Sequence, residues 1–424
     1  MTLIRTLLIL IVHVTYFVHL TATTYSSEGT EVETSHDRLK RQAIGYESRL
    51  WRTGVNYRFD QKISHAARQA FLRGASAWER DTCINFTENK TGENVELSSN
   101  FNIMRCNDAP IGVSSRKKFD DNPLFAATDV IYVGEWGKGV CGSDVGKVGG
   151  RQNLSLGEGC EFFGRAAHEI GHALGLHHTQ NRYDRDDHIT IIWKNIEKVH
   201  VPQFNLTQWN KFRTYGLPYD YGSIMHYGSS RTKPTMTPKK SHYMGTLGSP
   251  MISFIDLSMI NEHYYCKRET IRKKSRSSLL QKFPNDSGGV LKATPMWVSS
   301  YREHGNPKKD LDYLKKTYWI KPSSPPGEKV KIEVKMTSIN EKLDVPGCIY
   351  AGVEVKNGTD QTVTGHRLCS KKDIGVVFTS PCYSSSNSSH LVPVIFYSYG
   401  WPTDTITIKA TLEYRYGNIY SLYS

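Results

Sequence analysis

The sequence predicts an α+β domain over residues 42–266, followed by an all-β sandwich over residues 290–415. Four apolar side chains between residues 65 and 82 recur at helical spacing. They are Ala67, Phe71, Ala75 and Trp78. From residue 290 onward, short β-branched or alternating runs are separated by turn residues, a pattern typical of an antiparallel sandwich.

The composition of the 424 residues narrows the class of protein. A hydrophobic content of 38% supplies enough apolar material for packed cores and excludes wholesale disorder. The net charge of +13 favours acidic partners such as matrix polysaccharide, nucleic acid or an anionic membrane. Only one long apolar run is present, which excludes a polytopic membrane protein. Eight cysteines, an even number, suit a secreted chain stabilised by disulfide bonds.

The apolar run from Leu3 to Val18 predicts a secretory signal peptide over residues 1–22. Arg5 precedes the run and small polar residues follow it, as is typical of such signals. The alternative is a retained signal anchor, which is less favoured because the run is shorter than the ~20 residues that span a bilayer. We therefore expect no stable membrane insertion and an extracellular protein.

The basic sequence Arg38-Leu39-Lys40-Arg41 predicts proteolytic processing after Arg41, which would remove a pro-segment of residues 23–41. The alternative is an ordinary charged turn at the surface. Secretion is supported by N-glycosylation sequons, each weak alone but coherent as a set. The seven acceptors are Asn85, Asn89, Asn153, Asn205, Asn285, Asn357 and Asn387.

The most specific feature is the run from Ala167 to His178, which contains the pattern H-E-x-x-H-x-x-G-x-x-H. On a helix, His168 and His172 lie on one face, about 6 Å apart along the axis, so both imidazoles can reach one zinc ion. Gly175 adopts left-handed backbone angles at little cost and is expected to end the helix. The chain then turns, and His178 approaches the same ion from a loop.

Three neutral histidine nitrogens leave an open ligand position for water, which is typical of a catalytic zinc and not a structural one. Glu169 follows the first of these histidines and is expected beside the metal, where it can act as a general base. The alternative is a core helix that carries histidines by chance. A helical apolar face is present, but it explains the helix and not the histidines. Its residues are Phe162, Phe163, Ala166, Ile170 and Leu174.

The zinc motif and two later segments resemble the astacin family of metallopeptidases. Residues 182–186, Arg-Tyr-Asp-Arg-Asp, are similar to the family signature after the third histidine, and residues 221–227 resemble the family's Met-turn. The resemblance implies a metzincin catalytic domain with two subdomains, a five-stranded mixed sheet, long helices and a zinc cleft. It also implies that Met225 forms an apolar floor beneath the zinc. Tyr227 would be a further zinc ligand that swings away to stabilise the oxyanion.

The same resemblance covers about residues 42–266. It implies two disulfide bonds and a strand that pairs with the substrate. The implied disulfide bonds are Cys83–Cys266 and Cys141–Cys160. Arg151 to Leu156 resembles an edge strand that pairs with an extended substrate through backbone hydrogen bonds. A matrix metalloprotease or a reprolysin is disfavoured, because the tyrosine of the Met-turn and the R-x-D-R-D run are astacin features.

The chain departs from the family pattern in three places. Thr179 replaces the glutamate that follows the third histidine and that pairs with the new N-terminal ammonium. Gln42, the predicted new N-terminus, could cyclise to pyroglutamate, which would avoid one unpaired buried charge. The pro-segment lacks the family's F-x-G-D latch, so the latency device is not identified. Residues 244–247, Met-Gly-Thr-Leu, lack the pocket arginine of many relatives, so no preference for acidic substrate residues is implied.

Residues 267–289 predict a basic linker. An ordinary solvated linker is favoured over one that binds anionic matrix polysaccharide. Residues 290–415 resemble a CUB domain, so this sandwich is called CUB-like, and residues 416–424 form a tail.

The cysteines of the second half are also interpreted by resemblance. Cys348–Cys369 is the implied bridge of the CUB-like domain. Cys106 and Cys382 are left over and either pair with each other or remain free. Ala351 stands where CUB domains carry an acid for calcium, so no calcium ion is predicted.

The resemblance implies a secreted zinc-dependent endopeptidase with one zinc ion per catalytic domain. Its substrates would be extracellular proteins, with matrix or cuticle components as candidates. The alternative is a catalytically weak or inactive homologue that acts as a CUB-mediated extracellular binding protein. This alternative is disfavoured because the three histidines, the glutamate and the tyrosine are all retained. No nucleic-acid partner is expected, since no known nucleic-acid module is present and the secretory signal opposes it.

Overall fold

The computed structural model describes residues 42–89, 129–207, 212–266, 281–282, 289–292, 313–322, 329–340, 343–384, 391–399 and 408–418. All of them lie in one compact unit, residues 40–424. We call residues 42–266 the N-terminal half and residues 281–418 the C-terminal half. The signal peptide, the pro-segment with Arg41, most of the linker and the end of the tail lie outside the described residues, so those assignments stay predictions.

The N-terminal half is built around a five-stranded mixed sheet, as expected. Its described residues form the strands β1 Ala43–Ile44, β2 Val55–Phe59, β3 Phe86–Glu88, β4 Val130–Gly134, β5 Cys141–Ser143, β6 Arg151–Leu156, β7 Ile189–Ile191, β8 Phe212–Arg213 and β9 Met236–Pro238. The main sheet has the order β3-β2-β4-β6-β5, in which only the β5–β6 pair is antiparallel. Two small antiparallel pairs, β1–β8 and β7–β9, flank it.

The expectation that Arg151–Leu156 forms the sheet edge is wrong. This strand, β6, is hydrogen-bonded to β4 on one side and to β5 on the other, so the edge is β5, Cys141–Ser143. The disulfide bond Cys141–Cys160 ties β5 to the segment that leads into the second helix. Among the described residues, the two outer strands of this sheet are β3 and β5, and backbone groups free to pair with another extended chain belong to such outer strands.

The α-helices in the described part of this half are α1 His65–Asp81, α2 Phe163–Ala173 and α3 Phe254–His263. Helix α1 starts at Ser64, whose hydroxyl accepts the backbone N–H of Ala67 and satisfies one of the unpaired donors of the first turn. Its apolar face includes Phe71 and Trp78, both fully buried. The helix predicted from the apolar spacing is thus present.

Helices α1 and α2 cross in close contact at Gly74. A Cβ at this position would lie 2.9 Å from Ile170 Cδ1 and 3.1 Å from the backbone nitrogen of Ala167. The indole N–H of Trp78 donates to the Ala167 carbonyl oxygen at 2.9 Å. The crossing fixes the helix that carries the zinc motif against the main sheet, because both helices share one buried cluster with the strands.

The C-terminal half consists of strands and short 3₁₀ turns within the residues that the structure describes. Its strands are β10 Gln281–Lys282, β11 Gly289–Lys292, β12 Tyr313–Ile320, β13 Lys329–Ile339, β14 Ala351–Val355, β15 His366–Leu368, β16 Val377–Thr379, β17 Tyr383–Ser384, β18 Val392–Tyr399 and β19 Ala410–Asn418. One sheet has the order β10-β12-β18-β14-β15, and the other has the order β11-β19-β13-β16, with β17 beside β13. Buried residues of both sheets belong to one hydrophobic cluster.

Three disulfide bonds join cysteines among the described residues. They are Cys83–Cys266, Cys141–Cys160 and Cys348–Cys369. Cys382 is exposed, whereas Cys106 lies outside the described residues, so their relation stays open.

Predicted glycosylation acceptors lie at the surface wherever they are described. Asn85, Asn153 and Asn205 are exposed, and Asn89 and Asn357 are partly exposed. The two remaining acceptors lie outside the described residues. No helix among those described is long and apolar enough to cross a membrane.

We predict that Gly74→Ala lowers the free energy of unfolding by about 1–2 kcal/mol. Overpacking against α2 costs roughly 1–3 kcal/mol, and the gain in helix propensity is at most ~1 kcal/mol. Urea unfolding followed by circular dichroism measures the change. Ser76→Ala on the same helix is the control and should be neutral or slightly stabilising. Equal stabilisation by both substitutions would contradict the close crossing of the helices.

Candidate metal centre

Helix α2 places two imidazoles of the zinc motif side by side. His168 and His172 lie one turn apart, and their ring centroids are separated by 4.7 Å. The helix ends at Ala173, and Gly175 follows with a φ of +102°, the left-handed conformation expected from the sequence. A larger residue there would be strained, because a Cβ would lie 3.0 Å from both Ile44 and His263.

The reversal at Gly175 brings His178 back to the two helical histidines. Its Nε2 atom lies 3.2 Å from His168 Nε2 and 3.1 Å from His172 Nε2. Nitrogens that bind zinc tetrahedrally at 2.0–2.1 Å are separated by about 3.3 Å, so this donor set fits one zinc ion. Within the described residues, this is the one group of three or more potential ligand side chains. The structure thus brings together the three histidines selected from the motif.

The two helical imidazoles are oriented by backbone carbonyls. His168 Nδ1 lies 2.7 Å from the carbonyl oxygen of Ile224, and His172 Nδ1 lies 2.8 Å from that of Leu176. A proton on each Nδ1 donates to the carbonyl and leaves the Nε2 lone pair for the metal. Burial lowers the pKa of His168 below its usual value and lowers that of His172 well below it, which favours the neutral form of both rings.

A turn at residues 221–227 packs against the helix and the loop that carry the three histidines. Met225 is fully buried, and its sulfur occupies the space in which a Cβ at Gly171 would lie, 2.6 Å away. The carbonyl oxygen of Met225 accepts the backbone N–H of Thr179, next to the third histidine. Gly171, between the two helical histidines, therefore lets the methionine approach the helix backbone, and the role of Met225 as an apolar floor stays a prediction.

Asp256 of α3 holds this turn and was missed by the sequence analysis. Its carboxylate accepts the Ser223 hydroxyl and the backbone N–H groups of Ile224 and Ser253, the last two at 2.8 and 2.9 Å. The hydroxyl of Ser253 in turn accepts the N–H of Asp256, which completes a capping box at the start of α3. Burial raises the pKa of Asp256 to about 6. The pattern S-x-x-D was a visible signal for the cap, but not for the contact with the turn.

Glu169 and Tyr227 share the environment of the three imidazoles. Burial raises the pKa of Glu169 to about 8, and the carboxyl is almost completely enclosed. The Tyr227 ring lies 4.3 Å from the His178 ring, centroid to centroid. Burial, and then the charge of Glu169, raise the pKa of Tyr227 to about 12, so the phenol keeps its proton at neutral pH.

The residue in place of the family's glutamate, Thr179, contacts Gln42. Gln42 Nε2 donates to Thr179 Oγ1 at 2.9 Å, and Arg182 Nη1 approaches Gln42 Oε1 at 3.4 Å. The Thr179 hydroxyl donates onward to Ser223 in the turn. A neutral hydrogen-bonded pair thus stands at this position. Whether Gln42 cyclises stays a prediction, and cyclisation would remove the Nε2 donor of the first contact.

Comparisons with known proteins agree with this site. The sequence profile of the Astacin peptidase family matches residues 43–115 and 118–265, more than half of the chain. Zinc metalloproteinase nas-31 of Caenorhabditis elegans is 34% identical over 419 residues, which are 91% of this chain and 59% of that protein. Blastula protease 10 of Paracentrotus lividus is 31% identical over 236 residues, which are 54% of this chain and 34% of that protein.

The chain spans about three fifths of the length of nas-31 and a smaller share of blastula protease 10. Among solved structures, high choriolytic enzyme 1, a hatching enzyme zinc-protease from Oryzias latipes, matches 57% of this chain and 100% of its own. The sequence identity of that match is 26% and the TM-score is 0.39.

We predict that Gly171→Ala raises the dissociation constant for zinc about tenfold. The new methyl group would displace the Met225 sulfur or push α2 away from the turn. Mutation of a residue that supports a metal ligand typically lowers the metal affinity 10–100-fold. Competition with a chromophoric chelator measures the constant. Gly142→Ala is the matched control, because a Cβ there meets nothing within 4 Å. Unchanged zinc affinity in Gly171→Ala would show that the turn does not support the site.

Proposed function

Because the chain belongs to the astacin family of zinc metallopeptidases, we propose that it is a zinc-dependent endopeptidase. The observation that carries the proposal is the convergence of three histidine Nε2 atoms at the spacing zinc requires, with an enclosed carboxyl from the same helix beside them. A structural zinc site typically has a fourth protein ligand, a cysteine or a histidine, in place of water. Within the described residues, the histidine group has three members.

The proposed reaction is hydrolysis of an internal peptide bond by water. Zinc, when bound, activates water and polarises a carbonyl group as a Lewis acid. Glu169 takes the proton from the attacking water and returns it to the leaving amine. Its burial suits both steps, since a raised pKa makes the carboxylate a stronger base.

Tyr227 is proposed to stabilise the negative charge that develops on the carbonyl oxygen. Its phenol remains protonated at neutral pH, so it can donate a hydrogen bond to that oxygen. The proposal is supported by the position of its ring, which lies 4.3 Å from the His178 ring and 6.5 Å from the His168 ring, centroid to centroid. The family role of Tyr227 as an additional zinc ligand is a further proposal.

Extracellular proteins are the proposed substrates. An extended peptide can add to the free edge of β5, the outer strand of the main sheet, by β-augmentation. Secretion, removal of residues 23–41 and glycosylation complete the proposal, and the exposed asparagines Asn85, Asn153 and Asn205 support it. Binding of anionic polysaccharide by the basic linker stays a sequence-based expectation, since most of that segment lies outside the described residues.

The C-terminal half is proposed to be a CUB-like domain. The support is its two five-stranded β-sheets, with one bridge, Cys348–Cys369, between the loop before β14 and the end of β15. The alternative function, an inactive binding protein, would not require neutral, oriented imidazoles. The two backbone carbonyls that orient His168 and His172 therefore favour the enzyme.

We predict that Glu169→Gln lowers kcat by roughly 10²–10⁴-fold while zinc remains bound, since a general base contributes about that factor. Cleavage of a peptide library by the processed protein, with and without a zinc chelator, measures the effect. Glu158→Gln is the matched control, because that glutamate is exposed and lies before the same helix. Chelator-resistant cleavage, or full activity of Glu169→Gln, would contradict the proposed function.

We also predict that Tyr227→Phe lowers kcat by about 10–100-fold and changes KM little. The lost hydroxyl stabilises the transition state and not the bound substrate, so kcat falls and KM does not. Removal of a single donor to the oxyanion lowers kcat by about 10²–10³-fold in other hydrolases. Steady-state kinetics with one cleaved peptide separates the two constants. Tyr46→Phe, an exposed tyrosine, serves as the control. A rise in KM at constant kcat would assign Tyr227 to substrate binding instead.

A further inference from the structure

The two halves of the chain meet in a contact made of buried polar groups. The Asp220 carboxylate accepts both the backbone N–H and the hydroxyl of Thr364, each at 3.1 Å. The Thr246 hydroxyl donates to the Gly365 carbonyl oxygen at 3.1 Å and accepts the N–H of Arg367 at 3.0 Å. Asp220 is 1% exposed and Thr246 is not exposed. Buried polar groups are costly without partners, so each half supplies partners that the other needs.

Glycines let the two backbones approach closely at this contact. A Cβ at Gly222 would lie 2.3 Å from a side-chain carbon of Thr364, and one at Gly245 would lie 2.3 Å from the Arg367 carbonyl oxygen. In the C-terminal half, Gly347 has a φ of +72°, and a Cβ there would lie 2.0 Å from the Gly248 carbonyl oxygen. Any larger residue at these positions would force the halves apart. The contact is therefore matched in shape from both sides.

Aromatic side chains extend the same contact. The rings of Phe162 and Tyr399 lie 4.8 Å apart, and those of Phe163 and Tyr313 lie 6.5 Å apart. Phe162 and Phe163 stand at the start of α2, the helix that carries the two helical histidines. One hydrophobic cluster runs through both halves. The C-terminal half thus packs on the elements that build the metal centre.

Asp220 connects this contact to the turn beneath the metal centre. The carboxylate oxygen that accepts the Thr364 N–H also accepts the backbone N–H of Gly222, at 3.1 Å. The Asp220 carbonyl oxygen accepts the N–H of Ser223 at 3.2 Å. The next residue, Ile224, provides the carbonyl oxygen that orients His168 Nδ1. Ile224, the partner of His168, therefore lies four positions after Asp220, the residue that Thr364 of the C-terminal half contacts.

We infer that the C-terminal half is a working part of the metal centre and that Thr364, acting through Asp220, is a positioning residue for the Met-turn and His168. Asp256 holds Ser223 and Ile224 of this turn from α3, and Thr364 holds Asp220, which immediately precedes the turn. A turn held by both contacts keeps the Ile224 carbonyl directed at the imidazole. This inference rests on the proposed zinc site.

The test is the zinc affinity of Thr364→Val in the full chain. Valine keeps the shape that faces Gly222 but loses the hydroxyl donor. We expect the zinc dissociation constant to rise roughly three- to tenfold, below the 10–100-fold typical of a direct partner of a ligand. The visible spectrum of the cobalt(II)-substituted protein should shift as well, because it reports the ligand geometry. In peptide cleavage, kcat should fall while KM stays constant.

Two variants of the same hairpin serve as controls. Thr362→Val removes an exposed hydroxyl that bonds only within the C-terminal half, to Asp360, and should bind zinc as the unmodified chain does. Thr364→Ser keeps the hydroxyl and should restore both the affinity and the spectrum. If Thr364→Val does not fold, as judged by circular dichroism, Thr364→Ala makes the same comparison without the branched side chain.

A double-mutant cycle tests whether Thr364 acts through Asp220. If it does, the combination of Asp220→Asn with Thr364→Val should bind zinc no more weakly than Asp220→Asn alone. Additive losses, or unchanged affinity and spectrum in Thr364→Val, would overturn the inference. Failure of the unmodified chain to bind stoichiometric zinc would instead overturn the proposed function, so the two failures are distinguishable.

Discussion

Three imidazoles must direct lone pairs at one point, and this requirement governs the structure around them. An imidazole offers a lone pair at Nε2 only when its proton resides on Nδ1, so a partner at Nδ1 decides whether the ring can be a ligand. The chain provides such partners as the carbonyl oxygens of Ile224 and Leu176. Both carbonyls gain a donor in return, which buried backbone groups need. Metal ligands and local backbone therefore stabilise each other.

The turn at residues 221–227 follows from the same requirement. It must place a carbonyl at His168, an apolar atom under α2 and a backbone acceptor at Thr179, all at once. A turn of this length has no ladder of hydrogen bonds to hold it, so side chains from elsewhere supply the restraint. Asp256 does so from α3, and the Thr179 hydroxyl does so from the loop of the third ligand. The turn joins elements that are far apart in the sequence.

Local patterns predicted the parts of the site that lie close together in the chain. His168, His172 and Gly175 follow from helical geometry and from the freedom of glycine to adopt a positive φ. Contacts between residues far apart in the sequence were harder to predict. Asp256 and Ser223 are separated by 33 residues, and no periodicity links a carboxylate on one helix to a turn so far away. The edge of the sheet was misplaced for a similar reason, because the pairing of β5 with β6 depends on register and not on composition.

Apolar and polar groups contribute differently to the contact between the halves. Burial alone would raise the pKa of Glu354, but nearby charges, first that of Arg367 and then that of Lys356, lower it, so Glu354 and Arg367 form an ionised pair on the C-terminal side of the contact. A buried ion pair adds little net stability and instead fixes geometry, since its desolvation offsets most of its attraction. The aromatic rings before and at the start of α2 then supply the attraction, while the polar groups set the register. A shift of one residue between the halves would move Thr364 away from Gly222 and remove the two hydrogen bonds that Thr364 donates to Asp220. The contact has one satisfactory register, and the turn under the metal centre is part of it.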